Sequence, residues 1–275
     1  MSDETRGVAL VVAGVMTAQF GAGYAVTLFD ELGPGGAVFL RQAIAALVLV
    51  VIWRPRLGGH GSPDLRLAAA FGIALGLMNL SIYEAMDRIP LGIAVTIEFA
   101  GPLAVGVIGS RRPLDLLWVA LAAGGIVLLA DPGGGSLDTA GVAFALLAAT
   151  MWAFYILLSV RVGKVWPGAS GLAFAMVVAA ILTAPVAVTQ AGDELLRPEL
   201  LAAGAAVALL SSVIPYTLDL EALRRLPANV FGVLMSLEPA VAALAGLIIL
   251  GQALDALECV AIALVVVASA GVTAR

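Results

Sequence analysis

The sequence is poor in the residues from which enzymes and metal proteins build their sites. Its 275 residues include one histidine and one cysteine, and only 12% are charged, against about 25% in a typical soluble domain. One thiol and one imidazole cannot form a disulfide or a zinc cluster. His60 lies in a predicted loop and Cys259 in an apolar run, so we predict no metal site, no cofactor and no catalytic residue.

Lysine is nearly absent as well. The only lysine, Lys164, has Leu158 where a phosphate-binding loop of the form Gly-x-x-x-x-Gly-Lys needs its first glycine. The arginines occur singly or in scattered pairs rather than as a basic run, so no nucleic-acid surface is predicted. Direct use of ATP by this chain is therefore not expected.

Apolar residues dominate what is present. They make up 62% of the chain, and the mean hydropathy is +1.09, which predicts a polytopic membrane protein. The first run is too long for a cleaved signal peptide and is expected to remain as the first span. Ten runs of about 20 residues are candidate transmembrane helices: 7–29, 36–53, 67–86, 89–110, 114–130, 140–160, 169–190, 200–222, 230–250 and 256–274.

The chain repeats itself with an offset of 137 residues. Segment 84–90 aligns with segment 221–227, and Pro102 aligns with Pro239. Each copy holds five spans, an odd number, so the second copy enters the membrane from the opposite side. We therefore predict an all-α polytopic membrane protein with ten transmembrane helices in two inverted five-helix repeats, residues 1–136 and 137–275.

The basic residues predict the orientation of these spans. Lysine and arginine are enriched on the cytoplasmic side of bacterial membrane proteins. One face receives only Arg88 and Arg197, whereas the other receives eleven basic residues, which places both termini in the cytoplasm: Arg6, Arg54, Arg56, Arg66, Arg111, Arg112, Arg161, Lys164, Arg224, Arg225 and Arg275.

A few charged residues lie within spans or at their ends. Arg41 lies inside the second span, five or six residues from its outer end, where an ion pair or anchoring at the surface is favoured over substrate binding. Glu84 with Arg88, and Glu221 with Arg225, are four residues apart at helix ends. This spacing predicts structural ion pairs, with gating as the alternative.

Two carboxylates lie deep inside predicted spans. Glu98 is eight residues past Pro90, about 12 Å along a helix. Glu238 is eleven residues past Pro227, about 16 Å from the opposite face. Both reach the middle of a ~30 Å core, where an acid usually faces a cavity or a partner. Each is a candidate to bind an ammonium group or a coupling proton, and a protonated acid used for helix packing is the alternative.

Prolines and glycines interrupt or thin the same spans. Pro102, Pro215 and Pro239 lie inside spans 4, 8 and 9, where they are predicted to be hinges or, alternatively, static bends. Gly72 and Gly76 give the third span a face of small residues that permits close helix contact.

The other candidates for substrate contact are polar or aromatic. Asn79 and Tyr83 are four apart and share a helix face, and Trp152 with Tyr155 is predicted to form an aromatic wall. Interhelical hydrogen bonds and core packing are the alternatives. The full set comes from spans 1, 3 and 6: Gln19, Tyr24, Asn79, Tyr83, Trp152 and Tyr155.

Three motifs resemble those of the EamA-type drug/metabolite transporter superfamily. They are Arg-Ile-Pro-Leu-Gly-Ile-Ala-Val-Thr-Ile-Glu-Phe-Ala-Gly-Pro-Leu-Ala-Val at 88–105, Ser-Arg-Arg-Pro at 110–113 and Ser-Leu-Glu-Pro-Ala at 236–240. The likeness is greatest to bacterial threonine/homoserine and related amino-acid exporters, although Gly251-Gln252 stands where these usually have Gly-Glu. The resemblance implies ten helices in two inverted repeats, a cavity lined mainly by spans 1, 3, 4, 6, 8 and 9, and efflux of small metabolites.

These observations together predict a secondary transporter of the bacterial inner membrane. It is expected to act as a monomer in the bilayer and to export small neutral amino acids, of the threonine, homoserine or methionine kind or aromatic, by alternating access. Protons are the candidate coupling ion. The alternatives are efflux of other small metabolites or toxic organic cations. An intramembrane enzyme would need a histidine or metal pair in the spans, and a non-transporting receptor would leave two buried acids without a purpose.

Overall fold

The computed structural model of the chain describes residues 3–56, 58–108, 113–130 and 137–273. Within these ranges the chain folds into helices and contains no strand. The predicted breaks at Arg111-Arg112 and Asp131-Pro132-Gly133, and the basic residue Arg275, lie outside the described residues. The prediction of an all-α polytopic chain is confirmed.

The described part of the first half forms six helices: α1 (Asp3–Val26), α2 (Phe29–Trp53), α3 (Ser62–Met86), α4 (Leu91–Glu98), α5 (Ala100–Ile108) and α6 (Pro113–Ala130). The described part of the second half forms seven: α7 (Thr139–Val165), α8 (Ser170–Ala191), α9 (Pro198–Ala208), α10 (Ile214–Ala222), α11 (Ala228–Met235), α12 (Glu238–Leu250) and α13 (Ala256–Thr273). A 3₁₀ turn, Gly192–Leu196, follows α8, and a π-helical turn, Leu209–Val213, joins α9 to α10.

Seven stretches of the described chain are helical, long and apolar enough to cross a membrane. They coincide with predicted spans 1, 2, 3, 6, 7, 8 and 9. Shorter apolar helices, Leu91–Gly106, Leu117–Leu129 and Ala256–Gly271, stand where spans 4, 5 and 10 are predicted. The count of ten spans stays a prediction.

Spans 4, 8 and 9 are interrupted. The fourth divides at Phe99 into α4 and α5, and the ninth divides between α11 and α12. Pro102 is the third residue of α5, while Pro215 and Pro239 are the second residues of α10 and α12. Proline is tolerated in the first turn because its missing N–H has no partner there.

The two halves break at matching places. α4 and α11 each contain 8 residues, and their first residues, Leu91 and Ala228, are separated by the 137-residue offset of the sequence repeat. α2 packs on α8, and α6 packs on α13. The contact between α1 and α10 corresponds to the contact between α7 and α3. Each half therefore completes its packing against the other.

Glycines bring α3 and α8 close together, as predicted from Gly72 and Gly76. A Cβ atom at Gly72 would lie 2.6 Å from the carbonyl oxygen of Ala175, and one at Gly76 would lie 3.1 Å from the Cα atom of Ala179. The first distance is shorter than real Cβ contacts and the second is tighter than most of them, so the absence of Cβ atoms permits this close approach.

The two ends of the bundle are packed differently. Following the predicted orientation, we call the end that holds Val26 and Leu91 the outer end, and the end that holds Asp3 and Ala222 the inner end. At the outer end the buried apolar residues form one large cluster with members from both halves. At the inner end they form separate clusters, one joining α1, α10 and α11, a second joining α3, α7 and α8, and a third joining α5, α6 and α13.

Candidate functional site

A cavity of about 120 Å³ lies among α1, α2, α3, α4, α7 and the π-helical turn. Its apolar wall includes Ile82, Met86, Val95 and Trp152. Its polar lining residues come from α1, α2, α3, α4 and the π-helical turn: Gln19, Arg41, Asn79, Tyr83, Glu98 and Ser211. Five residues that the sequence nominated separately, Gln19, Asn79, Tyr83, Glu98 and Trp152, therefore share one chamber.

Arg41 is the most extensively bonded of these residues. Its side chain is buried, and its Nη2 donates to Asn79 Oδ1 at 2.6 Å. Nη1 donates to the hydroxyl of Tyr83 at 3.1 Å, and Nε donates to Ser212 Oγ at 3.1 Å. The guanidinium carbon also lies 5.4 Å from the centre of the Tyr83 ring, within the range of a cation–π contact. Arg41 is thus held from α3 and from the π-helical turn.

All three acceptors of Arg41 are neutral. Among the described residues, no carboxylate oxygen lies within the 4.0 Å that defines an ion pair with it. The expectation that Arg41 forms an ion pair or an anchor at the membrane surface is therefore wrong. Its charge lies inside the bundle without an ion pair among the described residues, and Glu98 acts on it only from beyond 4.0 Å. A buried charge that is not closely paired is unfavourable.

Acceptor atoms line other parts of the cavity. Glu98 is the last residue of α4, is 8% exposed and is close enough to Arg41 to interact with it electrostatically. Gln19 is 7% exposed, and its Oε1 is buried without a hydrogen-bond partner among the described residues. A buried amide oxygen without a partner is uncommon in native proteins. Together with Glu98, it can accept hydrogen bonds from a positively charged ligand group.

The predicted aromatic wall is divided between two environments. The ring of Trp152 lines the cavity and meets Phe99 edge-on at 5.1 Å, whereas Tyr155 stacks on Phe71 at 5.0 Å in the core between α3 and α7. Three residues along a helix turn a side chain by about 300°, which leaves the two rings about 60° apart. That angle is enough to send them to different neighbours.

Tyr24 and Glu238 also lie away from the cavity lining. Tyr24 packs against the outer apolar cluster. Glu238 is the first residue of α12, is 9% exposed and interacts electrostatically with Glu98 and with Asp219. The structure thus places the two predicted acids near one another, with only Glu98 on the cavity wall.

Sequence reasoning missed three residues near the site. Arg41 was judged by its distance from a helix end, which says nothing about tertiary burial. Ser212 belongs to a π-helical turn, a feature that often occurs at functional sites but has no clear sequence signal. Asp219 lies within the eighth span and its Oδ1 is buried without a partner among the described residues. An acid inside an apolar run was a signal that could have identified it.

The cavity differs from the one that the family resemblance implies. Among the described residues, span 2 contributes Arg41 to its wall and span 9 contributes no lining residue. A larger groove of about 390 Å³ lies between α2 and α8, and its described lining residues are all apolar, such as Phe39, Leu47 and Ile181. A groove of that kind suits a lipid chain rather than a polar metabolite.

Polar contacts join the two halves at the outer end. Gln190 on α8 accepts a hydrogen bond from the backbone N–H of Gly35 at 2.6 Å and donates to Glu84 at 3.1 Å. Glu84 forms the predicted ion pair with Arg88 at 2.7 Å. Gln252 accepts a hydrogen bond from the backbone N–H of Leu91 at 2.9 Å. The outer end is therefore closed by polar as well as apolar contacts.

The matching pair at the inner end is more exposed. Arg225 forms the predicted ion pair with Glu221, and its Nε lies 3.7 Å from Asp3 Oδ1. Because both side chains face solvent, the pair adds little to stability.

Comparison with known proteins agrees with this architecture. Residues 139–274 match the family model described as the EamA-like transporter family. The chain is 41% identical over 268 residues to the threonine/homoserine exporter RhtA of Salmonella typhimurium LT2, covering 96% of this chain and 90% of the relative. The chain belongs to the EamA-like transporter family.

Two further relatives and one solved structure extend the comparison. The threonine/homoserine exporter RhtA of Escherichia coli K12 is 39% identical over 270 residues, covering 97% of this chain and 90% of the relative. The uncharacterized transporter YwfM of Bacillus subtilis is 29% identical over 196 residues, covering 70% of this chain and 62% of that one. A crystal structure with 20% identity shares the fold, with a TM-score of 0.60 and 95% of each chain covered. The two RhtA proteins are named as exporters and YwfM as a transporter, and none of the three is named as an enzyme.

Proposed function

We propose that this family member exports small neutral amino acids, of the threonine and homoserine kind first, from the bacterial cytoplasm across the inner membrane. The observation that carries the proposal is a cavity lined by a buried guanidinium, Arg41, and a buried carboxylate, Glu98, that are not paired with each other. A free amino acid is a zwitterion and offers one charge to each. The relatives named as threonine/homoserine exporters support this substrate class.

The proposed architecture has ten transmembrane helices in two inverted repeats, residues 1–136 and 137–275, with both termini in the cytoplasm. The matching breaks after α4 and α11 support the repeat, as does the pairing of α2 with α8 and of α6 with α13. Each of these pairs joins corresponding helices of the two halves, as a two-fold axis in the membrane plane requires. The excess of basic residues on one face supports the orientation. A chain with a complete set of spans can work as a monomer.

In this proposal the protein works by alternating access, and the structure corresponds to the state open to the cytoplasm. The single apolar cluster at the outer end and the separate clusters at the inner end support this assignment. Pro102, Pro215 and Pro239 are the proposed hinges, because each follows a break in a span and leaves nearby carbonyls free to change partners.

Protons are the proposed coupling ion, carried by Glu98 or Glu238. Both acids are buried, and each interacts electrostatically with the other, so binding of a proton or an ammonium group at one affects the other. Replacing the acid that carries the proton by Gln should remove accumulation driven by a pH gradient. Glu238→Gln should leave exchange of threonine for threonine intact, because Glu238 lies off the cavity wall, whereas Glu98→Gln should also slow exchange, because Glu98 lines the cavity. Gradient-driven transport by both variants at the wild-type rate would remove the proton from the mechanism.

Flux in proteoliposomes tests the function directly. Purified protein is reconstituted, and the movement of radiolabelled threonine, homoserine, methionine and phenylalanine is compared with that in empty liposomes. A lipophilic cation, tetraphenylphosphonium, tests the alternative of organic-cation efflux, which the charge of Arg41 disfavours because it would repel a cation in the same cavity. We expect saturable threonine flux and none of the cation. Cation flux without amino-acid flux would favour the alternative.

A further inference from the structure

We infer that Arg41 binds the α-carboxylate of the transported amino acid, so that the site selects substrates by their free carboxylate. The assignment rests on the proposed function and goes beyond it, because it names the residue that recognises the substrate and the chemical group that is recognised. Arginine binds carboxylates well because its planar guanidinium can donate two parallel N–H bonds to the two oxygens.

The donors of Arg41 are only partly used. A guanidinium has five N–H groups, and three of the nitrogens each donate one bond, to Ser212, Tyr83 and Asn79. Two N–H groups of Arg41 are left for a ligand. The hydroxyl of Tyr83 accepts from Arg41, so its own hydrogen is also available to a carboxylate at the same end of the cavity.

The bonds that hold Arg41 fix its position without cancelling its charge. Asn79 and Ser212 are neutral, and they approach from α3 and from the π-helical turn. Because the side chain is 8% exposed, water compensates this charge only weakly. A substrate carboxylate supplies the missing anion, and binding is then favoured by the relief of an unpaired buried charge.

The rest of the cavity suits the other end of the same ligand. Gln19 offers an amide oxygen that is buried without a partner among the described residues, and Glu98 offers a carboxylate. Both can accept hydrogen bonds from an α-ammonium group. A ligand that carries both charges therefore satisfies both groups, whereas an amine without a carboxylate leaves Arg41 unpaired.

A different role for Arg41 makes a different prediction. If Arg41 served only to balance the charge of Glu98, the carboxylate of the ligand would not matter to binding. The two roles are separated by ligands that differ from threonine at that one group. L-Threonine amide and L-threoninol keep the α-amine and the side chain and lack the carboxylate.

The test measures binding of these ligands to purified full-length protein in detergent, by competition with radiolabelled L-threonine. We expect the wild type to bind threonine at least about ten-fold more tightly than the amide or the alcohol, since hydrogen bonds to charged groups are the strong ones. In Arg41→Gln, the affinity for threonine should fall by at least about ten-fold, while the affinity for the amide should change by less than about three-fold. Arg161→Gln, which removes an exposed arginine from the inner end of α7, should keep the wild-type ratio.

Each outcome bears on a distinct statement. Equal affinity of the wild type for threonine and its amide, in a protein that transports threonine, overturns the role of Arg41 and leaves the proposed function intact. Absence of any amino-acid binding or flux in the wild type overturns both. If Arg41→Gln is aggregated on size exclusion, the wild-type ratio of the two affinities decides alone.

Discussion

Asn79 binds Arg41 through its side-chain oxygen, while its side-chain nitrogen is held by the backbone of α3. Its Oδ1 accepts from Arg41 Nη2 at 2.6 Å, and its Nδ2 donates to the carbonyl oxygen of Leu75 one helical turn earlier at 2.8 Å. The second bond fixes which way the amide faces, so that the oxygen points at the guanidinium. Asn79 therefore orients the residue that we propose contacts the substrate.

This relationship predicts that Asn79→Asp impairs export without unfolding the protein. A carboxylate in place of the amide would pair with Arg41 and occupy the charge that we assign to the substrate. We expect threonine flux in proteoliposomes to fall by at least about ten-fold, since an ion pair in a low-dielectric cavity competes strongly with a ligand. The midpoint of thermal unfolding should stay at or above that of the wild type.

Asn79→Ala is the matched variant. It removes the acceptor without adding a charge, and it leaves Arg41 with two of its three bonds. A hydrogen bond to a charged group contributes about 1.5–3 kcal/mol, so we expect a higher KM for threonine and a lower unfolding midpoint. If Asn79→Asp transports threonine as fast as the wild type, Arg41 is not the group that reads the substrate.

Much of the helical layout followed from the sequence because it depends on local features. Hydropathy located the apolar helices, and the repeat around Pro102 and Pro239 located the breaks in spans 4 and 9. Proline acts on the turn in which it lies, so its position can be read without knowledge of the fold. Glu84 and Arg88 form the ion pair that their spacing predicts for the same reason.

The site depended on information that the sequence does not carry. Arg41 lies in an apolar run, and only the packing of α3 and the π-helical turn against α2 shows that it turns inward. Trp152 and Tyr155 share a helix face by spacing, yet Phe99 and Phe71 draw them into different surroundings. Neighbours from distant parts of the chain decide these positions, and a single sequence does not reveal them.

A packing prediction concerns Gly101 on α5. A Cβ atom there would lie 2.1 Å from the carbonyl oxygen of Ala149 on α7, so Gly101→Ala must separate the two backbones. Overpacking of this kind costs about 1–3 kcal/mol, and we expect a clearly lower midpoint of thermal unfolding. Gly163→Ala is the control, because a Cβ atom at Gly163 meets nothing within 4 Å. Equal losses in the two variants would contradict the close contact between α5 and α7.

A further stability prediction concerns Gln252, whose side-chain oxygen accepts a hydrogen bond from the backbone N–H of Leu91 at 2.9 Å. Leu91 is the first residue of α4, where backbone N–H groups lack partners within the helix. Gln252→Leu removes the acceptor, which should cost about 1 kcal/mol, as loss of a helix cap does, and lower the unfolding midpoint. Gln252→Glu keeps an acceptor and places a negative charge near the start of a helix, so it should be tolerated. A stable Gln252→Leu variant combined with an unstable Gln252→Glu variant would show that this contact does not cap α4.

The proposed opening to the cytoplasm makes a prediction about access to the cavity. Cys259 is the only cysteine and is exposed, so it is first replaced by Ser. Ala18, which lines the cavity, is then changed to Cys. A membrane-impermeant thiol reagent should modify Ala18→Cys in inside-out vesicles and not in right-side-out vesicles, because the apolar cluster closes the outer end. L-Threonine should slow the reaction by filling the cavity.

Ala25→Cys, at a position that is 0% exposed within that cluster, should stay unmodified from either side. Faster modification of Ala18→Cys from outside would mean that the predicted orientation, or the assignment of the closed end, is reversed.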